Sequence, residues 1–143
     1  MEPTSTKKSR WLWILPAALA VLILNVLIHI LYMVVYSYLI NPGHDMAYYE
    51  AHAKFSAPYS SIVFGMPLMF FVCRWVARKF APESSMTAAL LVWVVYFLID
   101  ITALLSAGEL GKLALLFAIS FATKFAAAYF GGLAARKQLV KPA

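Results

Sequence analysis

The sequence predicts an all-α integral membrane protein, a four-helix transmembrane bundle with its N- and C-termini in the cytoplasm. Three observations predict it. Of 143 residues, 64% are hydrophobic and 13% are charged, about half the charged share of a soluble domain. A soluble chain this short leaves too much surface exposed to hide such an apolar excess. The apolar residues gather into four runs, and most Lys and Arg residues crowd the run ends that share one side. These features exclude a soluble globular domain, a disordered chain and a secreted disulfide scaffold. They leave one transmembrane domain over residues 1–143, with no separate catalytic domain.

The first span, 11–40, has no charge and follows Lys7, Lys8 and Arg10. Its start resembles a signal peptide, but the apolar run outlasts a signal h-region, so it reads as an uncleaved helix. It exceeds the roughly 20 residues needed to cross a bilayer. Either it tilts, or its end from Tyr36 to Ile40 projects beyond the hydrocarbon. Pro16 falls in the first turns, where a missing N–H costs little.

Asn41-Pro42-Gly43 ends this span as a turn. In the outer loop that follows, Asp45 to Ser56 reads as a short amphipathic helix lying at the membrane interface. Asp45 is its expected N-cap, and Glu50 and Lys54 an i,i+4 pair. His44, Asp45, Tyr49, Glu50 and His52 form a recognition cluster on this loop. Asp45 and His52 lie two turns apart, too far to share a metal without a further ligand, so no metal is assigned.

The second span, 59–78, closes on Arg74, Arg78 and Lys79, with Pro67 as a candidate kink. Ala81 to Ser85 is a polar turn, and Ser84 or Ser85 is the expected N-cap of the third span, 86–107. A tight hairpin through Gly108, Glu109 and Gly111 leads to the fourth span, 113–135, which ends at Arg136 and Lys137.

Nine Lys and Arg residues flank the spans on the side of the termini and two, Lys54 and Lys112, on the other. This bias places both termini in the cytoplasm and the chain in the inner (plasma) membrane as a multi-pass protein. It also explains the net charge of +6 without nucleic-acid binding. Trp11, Trp13 and Tyr59 suit interfacial anchors. Cys73 is the lone cysteine, which excludes an internal disulfide and cysteine-pair chemistry. It reads as a small buried apolar residue.

Polar groups inside a bilayer are costly and point to function. Asp100 and Lys124 are the two full charges well within a span. Counted at ~1.5 Å per residue, Asp100 lies roughly 20 Å from the cytoplasmic side and Lys124 about 18 Å from the outer side. Side chains lean toward their helix N-termini, so the two converge. An ion pair is expected, either fixing helix register or serving as a proton or cation site tuned by the lysine. Asn25, His29, Tyr32 and Tyr36 lie on one stripe of the first span. Asn25 is near the depth of Asp100, so an Asn25–Asp100 hydrogen bond is expected.

A bis-histidine haem needs a second histidine in the spans, so no cofactor is assigned. Trp93, Tyr96 and Asp100 share one face. Ala127, Gly131 and Ala135, with Ala128 and Gly132, recur at four, a spacing that lets backbones approach closely inside a bundle or in a dimer.

The expected function is first a non-enzymatic structural or accessory membrane protein, assembling with itself or within a larger complex in the lipid bilayer. Second comes a small-solute or proton-coupled transporter built on Asp100 and Lys124. Third comes a haem- or quinone-binding redox subunit.

Overall fold

The computed structural model describes residues 10–108 and 110–140. Lys7, Lys8, Glu109 and Lys141 lie outside the described residues, as does the side chain of Lys112. Among the described residues five α-helices follow one another: α1 Ile14–Val35, α2 Met46–Val63, α3 Gly65–Ala77, α4 Pro82–Ala107 and α5 Leu110–Val140. Three stretches are long and apolar enough to cross a membrane, Ile14–Ile40, Pro82–Ala107 and Ala114–Val140. The α2–α3 pair, bent by 41°, adds a fourth if it is counted as one span. The chain is therefore an all-helical, multi-pass membrane protein.

Helix α1 does not end where its α-helical bonding stops. A π-helical turn, Tyr36–Ile40, continues it, closed by a 2.8 Å bond from the Asn41 N–H to the Tyr36 carbonyl. Such turns widen the helix and cluster at functional sites.

The first loop departs from expectation. Asp45 caps α2 as foreseen, accepting from the Tyr48 N–H at 2.9 Å. However, α2 is not a short helix lying flat at the interface. It runs for 18 residues, antiparallel to α1. Tyr48 meets Tyr36, His52 meets Tyr32, Ser60 meets His29 and Ser61 meets Asn25. The reason lies in the α1 stripe. Its polar side chains need partners out of water, and an upright α2 supplies each residue of the stripe with a hydroxyl or ring nitrogen, leaving only Asn25 Oδ1 unmatched among them. Asp45→Ala removes the cap, with an expected loss of about 1 kcal/mol. Thermal unfolding together with faster amide exchange at Tyr48 would measure it.

The second predicted span, 59–78, is thereby split. Residue 59 sits inside α2, and the break falls at Phe64. Pro67 accounts for this, because it has no N–H to return to the Val63 carbonyl and its ring crowds that carbonyl. Tyr59, expected as an interfacial anchor, lies beside Ser60 at the level of His29, partway along the bundle. Trp11 and Trp13 do pack at a helix end. Trp11 meets Phe80 edge-on at 4.9 Å, and Lys79 Nζ lies 4.9 Å from the Trp13 ring and 4.2 Å from Trp75.

Helix α4 starts earlier than the serine caps implied. Pro82 takes its first position, where a missing N–H is harmless, and Ser85 turns back onto the Pro82 carbonyl at 2.9 Å. It ends at Gly108, whose φ of 70° is the left-handed conformation that closes helices.

The core is made largely of small residues. Ala17, Ala18, Ala88, Ala89, Ala128 and Ala135 are buried among Val21, Met69, Val76 and Val92. Cys73 joins them, its Sγ against Met69 Sδ and the Ala89 carbonyl at 3.4 Å each. Gly131 and Gly132 of α5 also face inward. A Cβ on Gly131 would lie 2.5 Å from the Phe70 carbonyl of α3, and one on Gly132 would lie 2.8 Å from Ala89 Cβ of α4. The small-residue faces of the fourth span are thus spent within the chain.

Candidate functional site

The polar centre lies where α1, α4 and α5 meet the α2–α3 break. Lys124 on α5 is fully buried, with 0% exposure. Its Nζ donates to Ser61 Oγ at 2.5 Å and to Ser120 Oγ at 2.7 Å. Ser120 is one helical turn back on α5, and Ser61 is in the last turn of α2. Room for the side chain comes from Gly65, the first residue of α3. A Cβ there would lie 2.5 Å from Lys124 Cε.

Asp100 holds a different partner. Its Oδ2 accepts from the Tyr96 hydroxyl at 2.9 Å. Tyr96 is nearly sealed, and its ring also stands 5.0 Å from Lys124 Nζ. The expected Asp100–Lys124 ion pair is therefore absent among the described residues. Both residues reach the same tyrosine, one at its hydroxyl and one at its face. The lean of the two side chains brings them together as expected, but the gap beside Gly65 draws the lysine toward α2.

The expected Asn25–Asp100 hydrogen bond is also absent. Asn25 Nδ2 donates instead to Ser61 Oγ at 2.9 Å, while its Oδ1 is buried without a partner. The rest of the stripe does gather. His29 Nδ1 and Ser60 Oγ are 3.0 Å apart, and Tyr32 Oη and His52 Nε2 are 2.9 Å apart. The His52 ring stacks on Tyr36 at 3.8 Å, nearly parallel, and Tyr36 and Tyr48 join hydroxyls at 3.2 Å. The result is a column of tyrosines and histidines along the α1–α2 seam.

The outer-loop cluster does not converge on one point. His44 stacks on Tyr48 at 4.1 Å and meets Asn41 Oδ1 at 3.2 Å. Tyr49 donates to the Asn41 carbonyl at 2.8 Å. These tie the π-helical end of α1 to α2. Asp45 is occupied as the cap, and Glu50 is exposed. His52 belongs to the seam, where it faces Tyr32 and Tyr36. Among the described residues, no group of three His, Cys, Asp or Glu side chains is placed to hold a metal ion.

A cavity of about 350 Å³ opens beside this centre. Asn25, His29, Lys54, Ser60, Ser61 and Asp100 form its polar wall. This volume is at the small end of the range for ligand pockets. A second cavity of about 670 Å³ lies against the C-terminal half of α1, bounded by Met33, His44 and Tyr49. His29 borders both. Trp93, one turn before Tyr96, has a packing role instead, its Nε1 donating to the Phe121 carbonyl at 3.2 Å.

Sequence reasoning missed Ser60, Ser61, Ser120 and Gly65. A signal existed for one of them: Ser120 and Lys124 are four apart and share a helix face. Ser61 and Gly65 gain meaning only once the break at Phe64 is known. Compared with family models, curated proteins and solved structures, the chain finds no match.

Proposed function

We propose that this chain is a small proton-coupled carrier of the inner (plasma) membrane, working through Asp100 and Lys124 on a small polar solute. In this reading α2 and α3 make one bent span, completing a four-helix bundle. The end bearing Trp11, Trp13 and Lys79 faces the cytoplasm with both termini, following the bias of basic residues. The solute or proton enters along the seam of Tyr36, Tyr32 and His29. Four helices enclose little space, so the carrier acts as a homo-oligomer or within a larger membrane complex.

One observation carries the reading. A buried ammonium and a neighbouring carboxylate hold separate partners beside a cavity, rather than cancelling one another. A purely structural pair gains most from direct contact, which offsets the cost of burying both charges. Here the carboxylate stays on the cavity wall, open to a proton or a ligand donor.

The structural or accessory reading comes second. It expected an inert ion pair and an exposed apolar or small-residue face on the fourth span. The charges have other partners and Gly131 and Gly132 face α3 and α4, while Leu115, Ile119, Phe125 and Phe130 do leave apolar surface exposed on α5. The redox reading comes third, with His29 and His52 near each other on facing helices.

The test is proton flux into vesicles carrying the full chain, read with an internal pH dye under an imposed gradient. Asp100→Asn keeps the size and the Tyr96 partner and removes the titrating group. It should fold and lose flux by roughly 10²-fold, the effect of deleting a proton-transferring group. If instead Asp100→Asn and Lys124→Ala both misfold and the double mutant recovers, the pair is structural and the carrier reading fails.

A further inference from the structure

We infer that the cage around the Lys124 ammonium is a monovalent-cation site that the protein fills with one of its own side chains. Four observations converge on it. First, the two atoms that accept from Nζ, Ser61 Oγ and Ser120 Oγ, are neutral hydroxyl oxygens. A fully desolvated cation normally requires a carboxylate in direct contact. This one has Asp100 only behind Tyr96.

Second, Asn25 Oδ1 is buried, is itself an acceptor and has no partner. It and Lys124 Nζ each lie 3.3 Å from the point that a Gly65 Cβ would occupy. A third neutral oxygen therefore borders the same void. An ammonium has three donors, of which two are matched by the serines.

Third, the break at Phe64 ends α2 within one turn of Ser60 and Ser61. The negative end of the α2 dipole therefore lies next to Gly65, the residue that borders this void, and Pro67 has no N–H to offer the Val63 carbonyl at that end. Fourth, the Tyr96 ring presents its face to the ammonium at 5.0 Å. Neutral oxygens, a helix C-terminus and a broken helix are the means by which membrane proteins hold Na⁺ or K⁺ near mid-membrane. Here the cation is tethered. The fold consequently needs no free ion, and emptying the cage turns a built-in cation into a requirement for an external one.

This inference stands apart from the carrier reading, and its readout is stability rather than flux. The full chain in detergent would be melted in choline chloride, KCl and methylammonium chloride, as wild type, Lys124→Ala and Lys124→Met. Choline is too large for the cage. Lys124→Ala should melt below wild type in choline and recover saturably in K⁺ or methylammonium. Wild type and Lys124→Met, whose cages are filled, should not distinguish the salts. Adding Asn25→Leu to Lys124→Ala should weaken the apparent affinity about tenfold, the worth of one hydrogen bond to a charged group. A Lys124→Ala chain that responds equally to all three salts, responds to none, or fails to fold in every one of them overturns the proposal. So does an equal response from Lys124→Met.

Discussion

Gly131→Leu is expected to be the most damaging single substitution in the bundle. The new Cβ would lie 2.5 Å from the Phe70 carbonyl and 3.2 Å from the Arg74 amide nitrogen. Both are backbone atoms of α3, so no side-chain rotation relieves the clash. The two helices must part, and the tight packing of α5 on α3 around Cys73 and Ala128 opens with them. Overpacking a close-packed core costs about 1–3 kcal/mol and sometimes more. A rigid backbone contact belongs at the upper end, so a loss of at least ~3 kcal/mol is expected, out of a total that is typically 5–15. Thermal unfolding in detergent is the measurement. Gly111→Ala is the control: nothing lies within 4 Å of its added Cβ, and it sits within α5. Removing a helical glycine there should stabilise by about 0.5–1 kcal/mol. If Gly131→Leu melts with wild type, α3 and α5 are not packed as described.

Lys124→Met is expected to separate stability from activity. Methionine fills nearly the same volume without the charge. The serines do not lose all their partners, because Ser120 Oγ reaches Ser61 Oγ at 3.3 Å and Asn25 donates to Ser61. Replacing a buried charge with an apolar side chain of like shape is often neutral or stabilising, by about 1–4 kcal/mol. The variant should therefore melt at or above wild type. Its proton flux should fall by roughly 10²-fold, since the cation that acts on Asp100 is gone. A Lys124→Met protein that folds and carries protons at the wild-type rate would leave the lysine no part in transport.

Much of the fold is legible in the residues, because the cost of unpaired backbone in lipid forces each long apolar run to be helical. The first, third and fourth spans follow from run length alone. Helix α2 was harder to read. His44, Asp45, Glu50, His52 and Lys54 depress its hydropathy, and a single-helix criterion treats such a segment as an outside loop. What stands it upright is complementarity with a polar stripe on another helix, a pairing that no local window contains. The site divides in the same way. Asp100, Lys124, Asn25 and His29 stand out because each is polar in an apolar run. Their partners do not, because a lysine side chain is long enough to choose among several neighbours. That choice was made by Gly65 and Pro67, through the space one leaves and the hydrogen bond the other withholds.

The contrast between the two kinds of helix contact has a mechanical meaning. Helix α5 meets the α3 backbone at Gly131, and meets α4 through Gly132, Ala89 and the interlocked rings of Trp93, Phe97, Phe121 and Phe125, contacts with little room to slide. Helices α1 and α2 touch through single hydrogen bonds and stacked rings, which open at far lower cost. The packing thus divides into a close-packed α3–α4–α5 part and a hydrogen-bonded α1–α2 seam, with the 41° bend at Phe64 between them. Lys124 and Ser120 both reach from the close-packed part across that bend to Ser61 on α2. Any displacement of α2 from α5 would stretch both contacts together, so the charge at the centre is also tied to the position of α2.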